Sequence, residues 1–334
     1  MKALVLGCGS IGLRHIAHLK KLGVASIEAA DPNSLARDKV QAQFGVKVYP
    51  NPEEGLEARP QAVLVCTPAA THVPLVMKAL QAGAHVFVEK PLSTTLEGID
   101  SLIEKVQLDG RIVQVGYNLR YHPAMKAAKE ILDSGRLGRI LCADAQFGLY
   151  LKKWWPGRDY RDSYMTHEDL SGGLLLDASH EIDLLIWFLG KVEEVKAFGG
   201  KLSHLEIQGL DLIKILMRME SGALASLRLD CLGPTYTRGF TLVGEDTALR
   251  WDCTQGRADK SLGQLQVYDS TRDRFEEVPL QGNSEETFLG ELRDFLTSIS
   301  TGKPPAVGLE QGVEVLRVAC AIRKAIENCS TCLT

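Results

Sequence analysis

Hydrophobic and polar positions follow two different patterns along the chain, and the first pattern covers residues 1–120. Short apolar runs typical of strands buried on both faces occur at residues 3–6, 27–30, 46–49, 62–66, 85–88 and 112–115. Amphipathic segments typical of helices lie between them, at residues 11–22, 34–44, 72–81 and 96–107. This alternation predicts a doubly wound parallel sheet covered by helices.

The second pattern begins after about residue 120, where the connections become longer and more polar. Strands that alternate apolar with polar residues are predicted at residues 213–219, 223–230, 240–243 and 248–251. Such alternation is typical of a sheet with one packed face and one open face. Two further helices are predicted at residues 285–300 and 309–328, on either side of a glycine and proline break.

Length and composition agree with a two-domain α/β protein. A chain of 334 residues exceeds the usual size of one core, so we predict domains at residues 1–120 and 121–334. The first is a Rossmann domain, and the second is an α+β domain with a large, mainly antiparallel, open-faced sheet. The net charge of -4 provides no overall basic field, and no apolar run is long enough to span a bilayer. We therefore expect neither a nucleic-acid nor a membrane partner.

The terminus and the cysteines indicate where the protein works. Glycines follow the apolar start at once, so we expect a native N-terminus and a cytoplasmic location. Eight cysteines without metal-ligand spacing favour reduced thiols and no metal site. The close pair Cys329 and Cys332 lacks a second pair or nearby histidines, and its role stays open.

A glycine-rich loop, Gly7-Cys8-Gly9-Ser10-Ile11-Gly12, joins the first predicted strand to the first helix. Gly7 permits a tight turn, Gly9 lets the backbone approach a pyrophosphate, and Gly12 allows close packing of helix on strand. Ser10 and Ile11 begin the helix, whose N-terminal N–H groups attract phosphate. The loop therefore predicts a dinucleotide site.

Asp31 ends the second predicted strand and indicates which dinucleotide binds. Its carboxylate would accept hydrogen bonds from a ribose diol and repel a 2'-phosphate. Pro32 and Asn33 follow it and offer no arginine for such a phosphate, so NAD is favoured over NADP. The alternatives are a different nucleotide, or a tight turn with a solvent-facing aspartate.

The turn Glu89-Lys90-Pro91 ends the fifth predicted strand. Ligands bind at the carboxyl ends of strands in an open parallel sheet, so Lys90 is expected beside the nicotinamide. Pro91 holds Lys90 in an extended conformation and ends the strand. The alternative is a solvated lysine in a turn.

Four motifs together resemble the glucose-fructose oxidoreductase and inositol dehydrogenase family, Gfo/Idh/MocA. They are the glycine loop, Cys66-Thr67-Pro68 with His72, Gln81-Ala82-Gly83 leading to Glu89-Lys90-Pro91, and Gly172-Gly173 followed by Asp177 and His180. The resemblance covers nearly the whole chain. It implies that Thr67, Pro68 and His72 line the cofactor groove and that Glu89 and Lys90 approach the nicotinamide ribose.

Asp177 and His180 lie in a largely apolar segment that is predicted to be one helix, which would place them one turn apart on a shared face. His180 can accept or return a hydroxyl proton near neutral pH, and Asp177 can hold its tautomer or contact the substrate. The Lys90 ammonium can stabilise a developing alkoxide. The alternative is a core histidine bonded to Asp177 or Asp183. Much of the family has four residues from aspartate to histidine, whereas this chain has three.

Two further segments suggest substrate contacts. The turn at residues 116–123 resembles one that borders the family's active site, with Asn118, Arg120 and His122 as polar contacts, or with Arg120 at a domain interface. Residues 152–164 combine aromatic rings with cations, and we predict contacts from Arg158, Tyr160 and Tyr164. Rings pack on sugars and arginine suits carboxylate or phosphate, which favours a sugar acid or nucleotide-linked sugar. The alternative is a surface loop or a subunit contact.

Together these features predict an NAD-dependent dehydrogenase or reductase that acts on a secondary alcohol or ketone of a carbohydrate. One alternative is a non-catalytic sugar sensor that binds the dinucleotide, although the presence of Lys90 and His180 favours an enzyme. Another is an enzyme that uses NAD only transiently. The open sheet predicts a homodimer or homotetramer.

Overall fold

The computed structural model describes residues 1–154, 157, 159–254 and 256–328. Contacts divide the chain into two compact units. The first contains Met1–Tyr117 and Phe288–Leu316, and the second contains Asn118–Thr287 and residues from Arg317 onward.

Six parallel strands form the sheet of the first unit, in the order β3-β2-β1-β4-β5-β6. Their bounds are Lys2–Leu6 (β1), Ser26–Ala30 (β2), Lys47–Tyr49 (β3), Ala62–Val65 (β4), His85–Glu89 (β5) and Val113–Gly116 (β6). The order reverses at β1, where the chain crosses from one half of the sheet to the other. This arrangement confirms the predicted Rossmann fold, in which ligands bind at the carboxyl ends of the strands.

Helices cover this sheet at Ser10–Lys21 (α1), Ser34–Phe44 (α2), Pro52–Glu57 (α3), His72–Gln81 (α4) and Ile99–Asp109 (α5). Local sequence explains where they begin and end. The Asn33 side chain accepts hydrogen bonds from the first N–H groups of α2, and Gly45 ends that helix in the left-handed conformation. Gly110 ends α5 in the same way.

The second unit contains an eight-stranded sheet in the order β14-β13-β12-β11-β7-β10-β9-β8. The bounds are Ile140–Gly148 (β7), Val192–Gly200 (β8), Leu212–Met219 (β9), Leu224–Asp230 (β10), Thr237–Gly244 (β11), Ala248–Asp252 (β12), Gln264–Asp269 (β13) and Arg274–Glu277 (β14). Strands β7 and β10 pair in parallel and the other neighbours pair antiparallel. On β9, Ile213 and Ile215 are buried whereas Lys214 and Leu216 are exposed. The predicted open-faced sheet is thus confirmed.

The helices of the second unit are Pro123–Asp133 (α6), Glu168–Ser171 (α7), Gly173–Asp177 (α8) and Ser179–Leu189 (α9). Short 3-10 turns include Asn118–Tyr121, Tyr160–Asp162 and Tyr164–Thr166. No helix among the described residues is long and apolar enough to cross a membrane.

Two helices follow near the end of the chain, Glu286–Thr301 (α10) and Leu309–Glu327 (α11). Leu292 and Phe295 of α10 are fully buried in the core of the first unit, and the Phe295 ring lies 5.9 Å from that of Phe87. The sequence had suggested that residues 121–334 form the second domain as a whole. The structure instead groups residues 288–316 with the first unit, because apolar side chains of α10 complete its core.

Candidate active site

The glycines of the loop between β1 and α1 meet different requirements. A Cβ atom on Gly7 would lie 2.5 Å from the Cys66 carbonyl oxygen, and one on Gly12 would lie 2.0 Å from the Gly7 oxygen. Packing within the protein therefore requires glycine at both positions. A Cβ on Gly9 would meet no described atom within 4 Å. The backbone at Gly9 is thus open to a ligand.

The N-terminus of α1 faces the same open loop. Its N-cap residue is Gly9. Glycine has no side chain, so, among the described residues, no side-chain cap bonds to the first N–H groups of α1. Ser10 is exposed and Ile11 is half-buried at the first helical positions. Uncapped N–H groups together with the positive end of the helix dipole suit a phosphate anion. This arrangement fits the pyrophosphate of a dinucleotide.

The Asp31 carboxylate is anchored beside the loop at the end of β2. Its Oδ2 accepts a hydrogen bond from the backbone N–H of Cys8 at 2.7 Å, and its Oδ1 accepts one from Asn33 at 2.8 Å. The carboxylate therefore has a fixed position next to the glycine loop. A carboxylate oxygen has more than one lone pair, so both oxygens can still accept a bond from a ribose hydroxyl.

Arg37 lies close to Asp31 and was missed by the sequence analysis. Its guanidinium donates hydrogen bonds to the carbonyl oxygens of Asp31 at 2.7 Å and Pro32 at 3.0 Å. Pro32 and Asn33, which directly follow Asp31, carry no cation, whereas Arg37 lies in the first turn of α2. The sequence did contain a signal for this contact, namely the predicted start of a helix at Ser34. One turn of helix brings residue 37 back towards Asp31 at the end of the strand.

The segment after β4 places Thr67, Pro68 and His72 in unequal environments. The Thr67 hydroxyl lies 2.7 Å from that of Thr71, and Pro68 is exposed. His72 is buried, with Nδ1 2.8 Å from the Pro91 oxygen and Nε2 2.8 Å from the Thr67 oxygen. Burial lowers the pKa of His72, although the two carbonyls oppose this shift. His72 thus links the loop after β4 to the turn after β5.

The turn after β5 carries the residues predicted to approach the nicotinamide ribose. Glu89 Oε1 lies 2.6 Å from His15 Nε2, and Oε2 accepts a hydrogen bond from the Lys90 N–H at 3.2 Å. Burial raises the pKa of Glu89, but the hydrogen bond from His15 and the charge of Lys90 outweigh it and lower the pKa below its ordinary value. Lys90 is half-buried, and the Lys90–Pro91 peptide bond is cis. The turn therefore presents a carboxylate next to an ammonium group.

Asp177 and His180 lie on two short helices rather than on one. Helix α8 ends at Asp177, and Ala178 has a φ of -91° and a ψ of 19°, so the predicted continuous helix was wrong. The spacing argument for a shared helical face does not hold across this break. Burial still distinguishes the two residues, because every other residue from 171 to 185 is buried and these two are half-buried.

Tyr164 contacts the first of these residues. Its hydroxyl donates a hydrogen bond to Asp177 Oδ1 at 2.9 Å, and its side chain is largely exposed. The charge of Asp177 also contributes, after burial, to the raised pKa of the Cys231 thiol. Asp177 is therefore held from one side by a phenol that remains accessible.

The neighbouring acids of α9 are engaged inside the second unit. Glu181 accepts a hydrogen bond from Arg238 at 2.6 Å, and Asp183 accepts bonds from Arg120 at 2.7 to 3.1 Å. All four side chains are buried or nearly so. These ion pairs hold α9 in place and engage Glu181 and Asp183 inside the unit, whereas Asp177 on α8 and His180 on α9 stay half-buried.

Four predicted substrate residues are buried, and three of them have internal partners. Arg120 bonds to Asp183, and the Tyr160 hydroxyl accepts a bond from Glu206 N–H at 3.1 Å. His122 caps α6 through Nδ1 and donates from Nε2 to the Ser261 carbonyl, while burial lowers its pKa to about 4. The fourth is Asn118. Their burial leaves little of these side chains accessible, and their contacts with a substrate stay predictions; Arg158 lies outside the described residues.

Comparisons with known proteins agree with this fold and these motifs. Residues 1–117 match the family model of the Gfo/Idh/MocA oxidoreductases with an NAD-binding Rossmann fold, and residues 125–250 match the model of the Gfo/Idh/MocA C-terminal domain. The fold and the phosphate loop thus define an NAD(P)-dependent dehydrogenase. The chain belongs to the Gfo/Idh/MocA family.

Individual relatives cover almost the whole chain. It is similar to the myo-inositol 2-dehydrogenase of Thermotoga maritima, with 29% identity over 98% of this chain and 97% of the relative. It is also similar to the scyllo-inositol 2-dehydrogenase (NAD(+)) of Bacillus subtilis, with 27% identity over 98% and 94%. The structure of the WlbA dehydrogenase from Bordetella pertussis, in complex with NADH and UDP-GlcNAcA, has a TM-score of 0.83 at 21% identity, over 98% of this chain and 96% of that one.

Proposed function

We propose that the protein transfers hydride between NAD and a secondary alcohol or ketone of a sugar derivative. The single observation that carries this proposal is that Asp177 and His180 are the half-buried polar residues of an otherwise buried segment of a family dehydrogenase. Ionisable groups that stay partly accessible on a mainly buried segment suit a site that a substrate can reach. The inositol dehydrogenases among the relatives support a polyol or sugar ring as the substrate class.

The residues divide the chemistry between them. When bound, NAD accepts the hydride that leaves the alcohol carbon. His180 takes the hydroxyl proton, and the Lys90 ammonium stabilises the negative charge that develops on the same oxygen. Asp177, held by Tyr164, orients His180 or a substrate hydroxyl. In the reductive direction His180 returns the proton to the ketone oxygen.

We propose NAD over NADP because Asp31 is fixed beside the loop and its charge repels a 2'-phosphate. Tyr164 remains exposed and is proposed as a substrate contact, together with Arg158. A sugar acid or nucleotide-linked sugar, a cytoplasmic location and a homo-oligomeric state remain predictions.

Substitution of the two acid–base residues tests the proposal. General acid–base groups contribute roughly 100-fold to 10,000-fold, so Lys90→Met and His180→Asn should each lower kcat by at least about 100-fold. Their dissociation constants for NAD should stay within about 3-fold of the wild type, because neither residue holds the pyrophosphate. Activity should be screened over sugars, inositols, sugar acids and nucleotide sugars with NAD and NADP in parallel.

Matched controls use a lysine and a histidine away from these segments. Lys105→Met removes a lysine that pairs with Asp109 on α5, and His204→Asn removes an exposed histidine of the second unit. Both should retain wild-type turnover. Wild-type turnover in Lys90→Met and His180→Asn would overturn the proposed roles. Binding of sugar and NAD without turnover of any substrate would favour a sensor, and turnover without net change in absorbance at 340 nm would favour transient use of NAD.

A further inference from the structure

A buried cluster of three ionisable side chains lies behind the Glu89-Lys90-Pro91 turn. It consists of His15 on α1, Glu89 at the end of β5 and Glu291 on α10, and their polar atoms all lie within 4.8 Å of one another. His15 and Glu291 are fully buried. The proposed chemistry uses neither of them, so their place in the core needs a separate explanation.

Glu291 is the unusual member of the cluster. Both of its carboxylate oxygens are buried and have no hydrogen-bond partner among the described residues. Glu89, in contrast, already has the short contact with His15 and the bond from the Lys90 N–H. A buried carboxylate with no partner is costly when it is charged, and much less costly when it holds a proton.

The surrounding charges also favour a protonated Glu291 beside an ionised Glu89. Burial raises the pKa of Glu291 well above its ordinary value, the charge of Glu89 raises it further, and only Arg14 opposes them. These causes favour a single carboxylate charge in the cluster, on Glu89. The groups that face it from the packed elements are Arg14 and His15 on α1, Cys66 after β4, and Glu89, His72 and Lys90 around the turn.

A bound cation is the competing explanation for these three residues. Two ligands of one tetrahedral zinc ion, each about 2.0 Å from the metal, are separated by roughly 3.3 Å. His15 Nε2 and Glu89 Oε1 are only 2.6 Å apart, which is a hydrogen-bond distance. A cation would have to break that bond, whereas a proton on Glu291 leaves it intact.

We propose that Glu291 is a neutral carboxylic acid that acts as a positioning residue for Glu89, by placing an uncharged polar group rather than a second carboxylate charge beside it. The Glu291 carboxyl group lies within 4.8 Å of the polar atoms of Glu89 and His15, so Glu89 retains its charge and its side chain stays fixed next to Lys90. This inference rests on the proposed function in one respect, namely that Glu89 contacts the bound cofactor.

The proposal makes stability depend on pH in a defined direction. Unfolded chains release the Glu291 proton at the ordinary pKa of a glutamic acid, whereas the folded protein keeps it. Stability contributed by this group is therefore complete below the ordinary pKa and is lost as pH rises towards the raised value. Glu291→Gln and Glu291→Leu cannot titrate and should escape that loss.

The experiment compares the thermal midpoints of these variants with the wild type between about pH 5 and about pH 9. The midpoint of each variant minus that of the wild type should increase as pH rises. Glu310→Gln, which removes an exposed glutamate of α11, should show no such increase. A difference that is constant with pH in both Glu291 variants would overturn the neutral acid, and either variant alone suffices if the other fails to fold.

Positioning is tested separately by NAD binding, for instance by titration calorimetry. Glutamine keeps an uncharged polar group of the same length beside Glu89, so Glu291→Gln should bind NAD within about 2-fold of the wild type. Leucine removes that polar group, and Glu291→Leu should bind NAD at least about 5-fold more weakly. Equal NAD affinity in both variants would overturn the positioning role. Stoichiometric zinc or another divalent metal in purified protein, lost in Glu291→Gln, would overturn the proposal in favour of a cation site.

Neither the thermal midpoints nor the NAD affinities depend on catalysis. Wild-type turnover in Lys90→Met and His180→Asn would overturn the proposed acid–base roles without changing the pH dependence of the midpoints. Conversely, a failure of the Glu291 tests leaves the roles of Lys90 and His180 as they are.

Discussion

At the scale of single residues, Asp31 and Arg37 oppose each other in the choice of cofactor. Asp31 places a negative charge beside the glycine loop, and Arg37 places a positive charge at the carbonyls of Asp31 and Pro32. A 2'-phosphate would be repelled by the first and attracted by the second. Cofactor preference should therefore depend on both residues.

Substitution of these two residues should change the preference in a non-additive way. Asp31→Ser removes the repulsion while Arg37 remains, so kcat/KM with NADP relative to NAD should rise by about 10-fold or more. The double variant with Arg37→Met should lose most of that gain, because the remaining cation is removed. Steady-state kinetics with both cofactors measures the ratio. An equal gain with and without Arg37 would show that the arginine does not contact the phosphate.

The residue scale also shows what sequence alone could supply. The glycine loop, Asp31 and Lys90 were predictable because each is tied to a local motif on a strand end. The ion pair of Arg120 and the cluster around Glu291 were not, because Asp183 lies 63 residues from Arg120 and Glu89 is even further from Glu291. Burial of a charged side chain follows from packing of distant segments, which no local pattern records.

At the scale of elements, the parallel strands were predicted well and the helix around His180 was not. Strands β1, β4 and β5 are compact, mainly apolar runs, so their positions follow from hydrophobicity. The segment from Gly173 to Leu189 contains no glycine or proline near Ala178, so its pattern contains no signal for the break there. Most side chains of α8 and α9 are buried, so both helices need apolar residues. Hydrophobicity therefore does not distinguish two short helices from one long helix.

The second of these helices should depend on the buried ion pair that holds it. Asp183 is fully buried against Arg120, so Asp183→Leu leaves an unpaired guanidinium in the core and should lower the free energy of unfolding by about 3 to 5 kcal/mol. Urea denaturation followed by circular dichroism measures this loss. Glu245→Gln removes one partner of the exposed pair with Arg139 and should leave the midpoint almost unchanged. Similar midpoints in both variants would show that the buried pair contributes little.

At the scale of the whole molecule, the open face of the second sheet is a surface on which exposed apolar and charged side chains lie together. It carries a groove of about 930 Å³ lined by Phe198, Lys214, Leu216, Arg228 and Arg250, among others. Phe198 and Leu216 are exposed apolar side chains on adjacent strands. Such a face is commonly covered by another copy of the chain.

Charge on that face should therefore change the oligomeric state. Light scattering should find a homodimer or homotetramer for the wild type and a smaller species for Phe198→Glu combined with Leu216→Glu. A control variant, Leu108→Glu, alters a still more exposed leucine of the first unit and should keep the wild-type mass. A monomeric wild type, or an unchanged mass in the double variant, would rule out this interface.

A ribosome makes the six parallel strands long before it makes Leu292 and Phe295, which fill the core of the same unit. Until residues 288–316 emerge, the apolar surface that they cover stays open to water and to other nascent chains. Completion of the cofactor-binding unit is thus a late event in synthesis. A chain truncated before residue 288 would contain the phosphate loop but would lack the side chains that complete the core beneath it.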